Sequence, residues 1–181
     1  MTKDSKEFAF YTGVTVILMI ILLWFWVFPA HPLAKEYASS LTNELNWFIL
    51  QKPKYVMSDS IKPDDPISMG VDCSRYLFLA CKRAGIPVLR TTSLGMSRGQ
   101  AGWLGKDIEL DNAEALDVPF WTFKADRPCG HVGMFIVSDK SKLLEVTHSS
   151  PSRGGIVLEQ LKGKLLNDIS KIRHLIIGDP K

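Results

Sequence analysis

Cysteine is scarce in this chain, and clusters of basic residues are missing from it. Only three cysteines occur, Cys73, Cys81 and Cys129. An odd number without regular spacing excludes a disulfide framework and a structural zinc site. Cys73 and Cys81 fall on one expected helix, about 12 Å apart at the helical rise, which is too far to bridge. Net charge is only +3, with 23% charged residues and no lysine- or arginine-rich run. That excludes the electrostatic footprint of a nucleic-acid-binding protein. There is no internal repeat and no low-complexity tract. No residue set calls for a metal or a cofactor, and none is expected.

Long apolar runs are also absent, with one exception. Phe8 to Phe28 carries no charge. At about 1.5 Å per residue it reaches across the ~30 Å hydrocarbon core of a bilayer. Trp24 and Trp26 lie towards one end and Tyr11 towards the other, as interfacial aromatics do. The run is long for a signal peptide, and cleavage after Ala30 or Ala34 would put Phe28 or Pro32 where a small residue is needed. No cysteine follows it closely to accept a lipid. An uncleaved single-pass anchor in contact with membrane lipid is therefore expected. Lys3, Lys6 and the amino terminus precede the run, whereas Lys35 follows it. This bias favours a cytoplasmic N-terminus with the rest of the chain on the extracytoplasmic or periplasmic side, and the anchor is expected in the cytoplasmic (inner) membrane.

Three segments are expected. Residues 1–32 form the N-terminal tail and anchor, 33–66 an amphipathic helix and a connection, and 67–181 a globular domain. In Leu33–Gln51, the residues Ala34, Tyr37, Ala38, Leu41, Leu45, Phe48 and Ile49 recur at helical spacing. Such a helix can be a stalk, lie on the membrane or pack on the domain, and the last is expected. Lys52–Pro66, with three prolines, reads as an irregular connection. Ile86–Met96 reads as an extended passage into a short helix. From Pro119 the pattern changes to short apolar runs between polar turns: Phe120–Phe123, His131–Val137, Leu143–Thr147, Gly155–Leu158 and His174–Ile177. These are expected to be antiparallel strands in a meander. Helix first and sheet second is an α+β arrangement.

The chemistry centres on Asp72–Gly85. Asp72 is a good N-cap, Gly85 a good residue to follow the helix, and Pro87 bars its continuation. Cys73 then sits at the helix N-terminus, where the macrodipole and unpaired N–H groups favour a thiolate and can hold an oxyanion. It is either a nucleophile or a buried core cysteine. His131 opens one expected strand and His148 closes the next. If the two pair through a turn at Ser138–Ser141, the histidines meet at one end of the sheet. A thiol nucleophile needs a base, and the base needs a partner that fixes its tautomer. Cys73, His131 and His148 meet both needs.

Asp72-Cys73-Ser74, the run Gly130 to Ile136, and Thr147-His148-Ser149-Ser150 with Gly154-Gly155-Ile156-Val157 together resemble the NlpC/p60 family of cell-wall cysteine peptidases. Ile86 to Ser93 also resembles the segment that follows the nucleophile helix in that family. The resemblance covers about Met69 to Ile177. It implies a papain-like α+β core with the nucleophile helix packed on an antiparallel sheet. It further implies a thiol protease hydrolysing amide bonds in peptidoglycan stem peptides, often between D-γ-glutamate and a diamino acid. By this resemblance Cys73 is the nucleophile, His131 the base and His148 the residue that orients it, with Asp72, Ser74 and Arg75 as candidate substrate-binding groups. Arg75 stands where the family usually has glycine; it either binds a substrate carboxylate or is a solvated surface charge. The family often has a tyrosine about a dozen residues before the cysteine, and the nearest here is Tyr55. Asp117-Val118-Pro119 occupies the place of a Gly-Asp pair, and Met96–Phe120 has no counterpart. Cys129 is expected to be a loop cysteine, against a disulfide with Cys73 or a minor metal ligand. His31 and His174 are expected to be structural. Two other functions remain open: a thiol-dependent amidase or acyltransferase acting on another acyl group, and a non-catalytic protein that binds wall peptides.

Overall fold

The computed structural model describes residues 32–57, 66–137 and 144–176. The expected anchor Phe8–Phe28, His31, the turn at Ser138–Ser141 and Ile177 lie outside these. Among the described residues, no helix is long and apolar enough to cross a membrane.

Helix α1 (Pro32–Gln51) buries Leu41, Leu45 and Phe48 completely, which places them on one stripe at helical spacing. Its expected position against the globular part is what the structure contains. The Phe48 ring meets Tyr76 of helix α2 (Cys73–Arg83) edge-on at 5.4 Å. The Arg83 guanidinium lies 4.1 Å over the Trp47 ring and donates to Glu44. A short helix α3 (Ser93–Ser97), capped by the Thr92 hydroxyl, follows the extended passage expected after α2.

Seven strands follow: β1 (Leu104–Asp107), β2 (Val118–Trp121), β3 (His131–Val132), β4 (Met134–Val137), β5 (Leu144–Ser150), β6 (Gly155–Gln160) and β7 (Ile169–Leu175). A one-turn helix α4 (Lys164–Asn167) separates β6 from β7. The fold is a mixed α+β one, with helices packed on antiparallel sheets. A single meander is not what forms. One sheet has the order β1-β7-β2-β3 and the other is the meander β4-β5-β6. The run His131–Val137, expected as one strand, divides at Gly133 between the two sheets. A side chain at Gly133 would stand 2.9 Å from the Thr147 carbonyl and 3.1 Å from His148 Cβ. The chain passes this close to β5 only because glycine is there, and the Gly133 N–H turns to the Pro119 carbonyl at 3.2 Å. The last strand begins at Ile169, well before the expected His174. Its sequence Ile-Ser-Lys-Ile-Arg-His-Leu mixes polar and apolar residues, so only the end of the strand stands out as hydrophobic.

The larger core unites α1, α2, α3 and the inner sides of β2, β3 and β4. A smaller cluster of Trp121, Phe135, Val146 and Ile172 fills the space between the sheets. Helix α2 packs against β3 and β5, and that contact positions the site.

Candidate active site

The loop before α2 is set by close backbone approach. Gly70 has φ +99°, and a Cβ there would lie 2.8 Å from the Lys54 carbonyl and 2.5 Å from Val56 Cγ2. This glycine lets Tyr55 form a parallel bridge with Val71. Asp72 then caps the helix in extended geometry. Its Oδ1 accepts the Arg75 N–H at 2.6 Å and the Ser74 hydroxyl at 2.9 Å. Cys73 is the first helical residue, with 6% of its surface exposed.

Strand alternation aims the histidines. On β5, Thr147 and Ser149 point to α2 and its entry loop: Thr147 Oγ1 pairs with the Tyr76 hydroxyl at 2.9 Å, and Ser149 donates to the Val71 carbonyl at 2.9 Å. His148, between them, points to the opposite face. There its Nδ1 lies 2.7 Å from His131 Nε2. The two imidazoles stand edge to face at 4.9 Å between centroids. They therefore meet as the expected strand pairing requires, although His131 belongs to the other sheet. The Val132 N–H, next to His131, points at the Cys73 sulfur. The helix N-terminus and the histidine pair thus share one site. With Nε2 of His131 engaged by His148, Nδ1 is the ring nitrogen that remains.

Aromatic rings close this site. Trp121 lies 5.5 Å from His131 and 5.9 Å from His148, centroid to centroid, and Phe123 lies 5.6 Å from His131. Trp121 is held by its indole N–H on the Leu165 carbonyl at 2.6 Å. The burial has electrostatic consequences. His131 is pushed down to about 3 by loss of solvent, then by the neighbouring His148, with Asp72 acting weakly the other way. Burial also lowers His148, opposed by its bond to Glu159. The Cys73 thiol is pushed up to about 12, mainly by burial and then by the Asp72 carboxylate. Main-chain N–H groups of Val132, Ser74 and Cys73 itself act downward and do not prevail. The thiolate expected from the helix N-terminus is therefore corrected: the resting sulfur is a neutral thiol, because desolvation outweighs the helix end.

No protein-family model matches the chain. No curated protein matches it either.

Of the residues expected at the site, His131 and His148 bond to each other, and Cys73 meets the strand of His131 at the Val132 N–H. Asp72 and Ser74 stand beside them but spend their hydrogen bonds within the chain. Arg75 is a correction: it is fully buried and donates to the Gly70 carbonyl at 2.6 Å, so it faces neither a substrate nor solvent. The cation at the helix entrance is instead Arg90, which donates to Ser74 Oγ at 2.9 Å and lies 3.6 Å from Asp72 Oδ2. Nothing in its local sequence marks it, because only the return of the chain after α2 brings it there. Tyr55 does reach the site. Burial, then the charges of Cys73 and Asp72, push its phenol up to about 12.

Sequence reasoning also missed Trp121, Glu159 and Arg153. The Glu159 carboxylate Oε2 lies 3.1 Å from His148 Nε2, while Arg153 donates to Oε1 from Nε at 3.0 Å and from Nη2 at 2.9 Å. A cavity of about 620 Å³ opens beside the imidazoles, walled by Phe123, Arg153, Glu159, Lys162 and Lys164. Cys129 is free; its sulfur turns to the Ser170 hydroxyl at 3.6 Å. Among the described residues, no three histidine, cysteine or acidic side chains are grouped to hold a metal ion. His174 pairs with the buried Asp117 at 2.8 Å, away from the imidazole pair.

Proposed function

We propose that the protein is a membrane-anchored cysteine peptidase of the NlpC/p60 kind, with a papain-like core. Its substrate is an amide bond of peptidoglycan stem peptides, between D-γ-glutamate and a diamino acid, outside the cytoplasmic membrane. The observation that carries this reading is the 2.7 Å bond between His131 and His148 beside a cysteine at a helix N-terminus. The order and spacing of the three motifs supply the substrate class, and the apolar run Phe8–Phe28 supplies the location.

The reaction follows from the neutral resting pair. Cys73 Sγ attacks the amide carbonyl carbon while its proton moves to Nδ1 of His131. The developing oxyanion is met by main-chain N–H groups at the start of α2. His131 then returns the proton to the leaving nitrogen as the C–N bond breaks, which leaves a thioester on Cys73. A water molecule attacks the thioester with His131 again as base, and the acid product and the thiol are released. The neighbouring cavity has a mixed lining, in which Arg153, Lys162 and Lys164 stand among Phe123, Pro151 and Leu165. The three cations can meet the carboxylates of a stem peptide.

Incubation of the full chain in detergent with peptidoglycan fragments, followed by mass spectrometry, tests the reading. Cleavage at a stem-peptide amide is expected, falling at least ~10³-fold in Cys73→Ala and His131→Ala. Activity retained in Cys73→Ala would reject the nucleophile. Cys73-dependent turnover of another acyl compound alone would select an amidase or acyltransferase, and binding without turnover a wall-peptide receptor.

A further inference from the structure

Strand register carries the relay one residue beyond the histidine pair. His148 is paired with Val157 of β6, and Glu159 lies two residues further along β6, on the same face. Its carboxylate therefore arrives at the outer ring nitrogen of His148, at 3.1 Å. Arg153, in the turn between β5 and β6, folds back and takes up Oε1 through two N–H groups, which leaves Oε2 for His148. A carboxylate is an acceptor only, so the proton on His148 must be on Nε2. Nδ1 of His148 is then an acceptor, and the 2.7 Å bond must be donated by Nε2–H of His131. Only Nδ1 of His131 is left with a lone pair.

We propose that Glu159, held by Arg153, is a positioning residue that sets the tautomer of both imidazoles and so keeps the Nδ1 lone pair of His131 available to Cys73. This rests on the peptidase reading for its role in turnover, but not for the tautomers themselves.

Glu159→Gln is the discriminating substitution. Arg153 claims the amide oxygen, so the amide N–H group faces His148 and demands an acceptor at Nε2. Both imidazoles then move their proton to Nδ1, and His131 loses its basic atom towards Cys73. Glu159→Ala imposes no such demand, since water serves either tautomer. A structural role for Glu159 would make Gln the milder change; the relay makes it the harsher one. The full chain labelled with ¹⁵N-histidine is examined by NMR, and its turnover of peptidoglycan fragments is measured alongside. The wild type is expected to carry both protons on Nε2, and Glu159→Gln both on Nδ1. With it, kcat should fall about 100-fold or more at little change in KM, and by more than in Glu159→Ala. Arg153→Ala combined with Glu159→Gln frees the amide to rotate and should restore the Nε2–H tautomers in part. Wild-type tautomers in Glu159→Gln, or a milder loss than in Glu159→Ala, would overturn the proposal. Should the wild type show no peptidase activity while the tautomers still invert, the relay stands and the substrate reading fails.

Discussion

Cys73 shows two residue-scale effects in competition. A helix N-terminus lowers a thiol pKa, and three main-chain N–H groups point at this sulfur. Burial and the Asp72 carboxylate act upward and win, because nothing cationic offsets the loss of solvent: Arg90 is spent on Asp72 and Ser74. The alkylation rate of Cys73 is therefore expected to stay low through neutral pH and to keep rising beyond the ordinary thiol range of about 8.5, towards a midpoint of about 12. Iodoacetamide labelling against pH, with the modified residue located by mass spectrometry, measures this. A midpoint below 7 would mean that the thiolate forms at rest. Arg75 teaches the complementary lesson. A guanidinium two residues after Cys73 invites a substrate role, yet helix geometry turns it inward beneath the Gly70 carbonyl.

Elements position these residues through a few buried contacts. Helix α2 is held from one side by the Tyr76–Thr147 bond and from the other by α1. Leu45 has no exposed surface and shares the core with α2. Its truncation in Leu45→Ala is expected to cost about 2–5 kcal/mol by lost transfer energy and the cavity left behind. Chemical denaturation followed by circular dichroism checks this. A loss below about 0.5 kcal/mol would make α1 a peripheral stalk rather than part of the core.

At the scale of the whole molecule, stability should depend on pH through the histidine pair. The folded protein holds His131 neutral down to about 3, whereas an unfolded imidazole titrates near 6.5. Below about pH 6.5 the unfolded chain binds the proton that the folded one refuses, so the stability present above 6.5 is lost as pH falls towards 3. His148, also lowered by burial, adds to the same trend. Thermal unfolding from pH 7.5 to 4 should show a falling midpoint, with a shallower fall in His131→Asn. A flat profile would mean that the imidazoles are solvated.

What is local can be read from the order of residues alone. Helices α1 and α2 are legible from their apolar stripes, from Asp72 as cap and from Pro53 and Pro87 as stops. Cys73 and the two histidines are legible because residue type and short-range register suffice to mark them. Three pieces were not legible: β1, with the polar sequence Leu-Gly-Lys-Asp, the one-turn helix α4, and the early part of β7. Strands whose outer residues are polar carry little periodic signal. It takes the folded chain to show that the His131 strand changes sheet at Gly133, that Arg90 reaches Asp72 and Ser74 beside the cysteine, that Tyr55 comes near it, and that Trp121 packs on the imidazoles. Glu159 and Arg153 reach His148 by the same route, through the pairing of β5 with β6. Each of these depends on segments that meet only when the chain folds back on itself. Burial decided the protonation of Cys73 for the same reason, since solvent exclusion belongs to the assembled packing and not to any one stretch of chain.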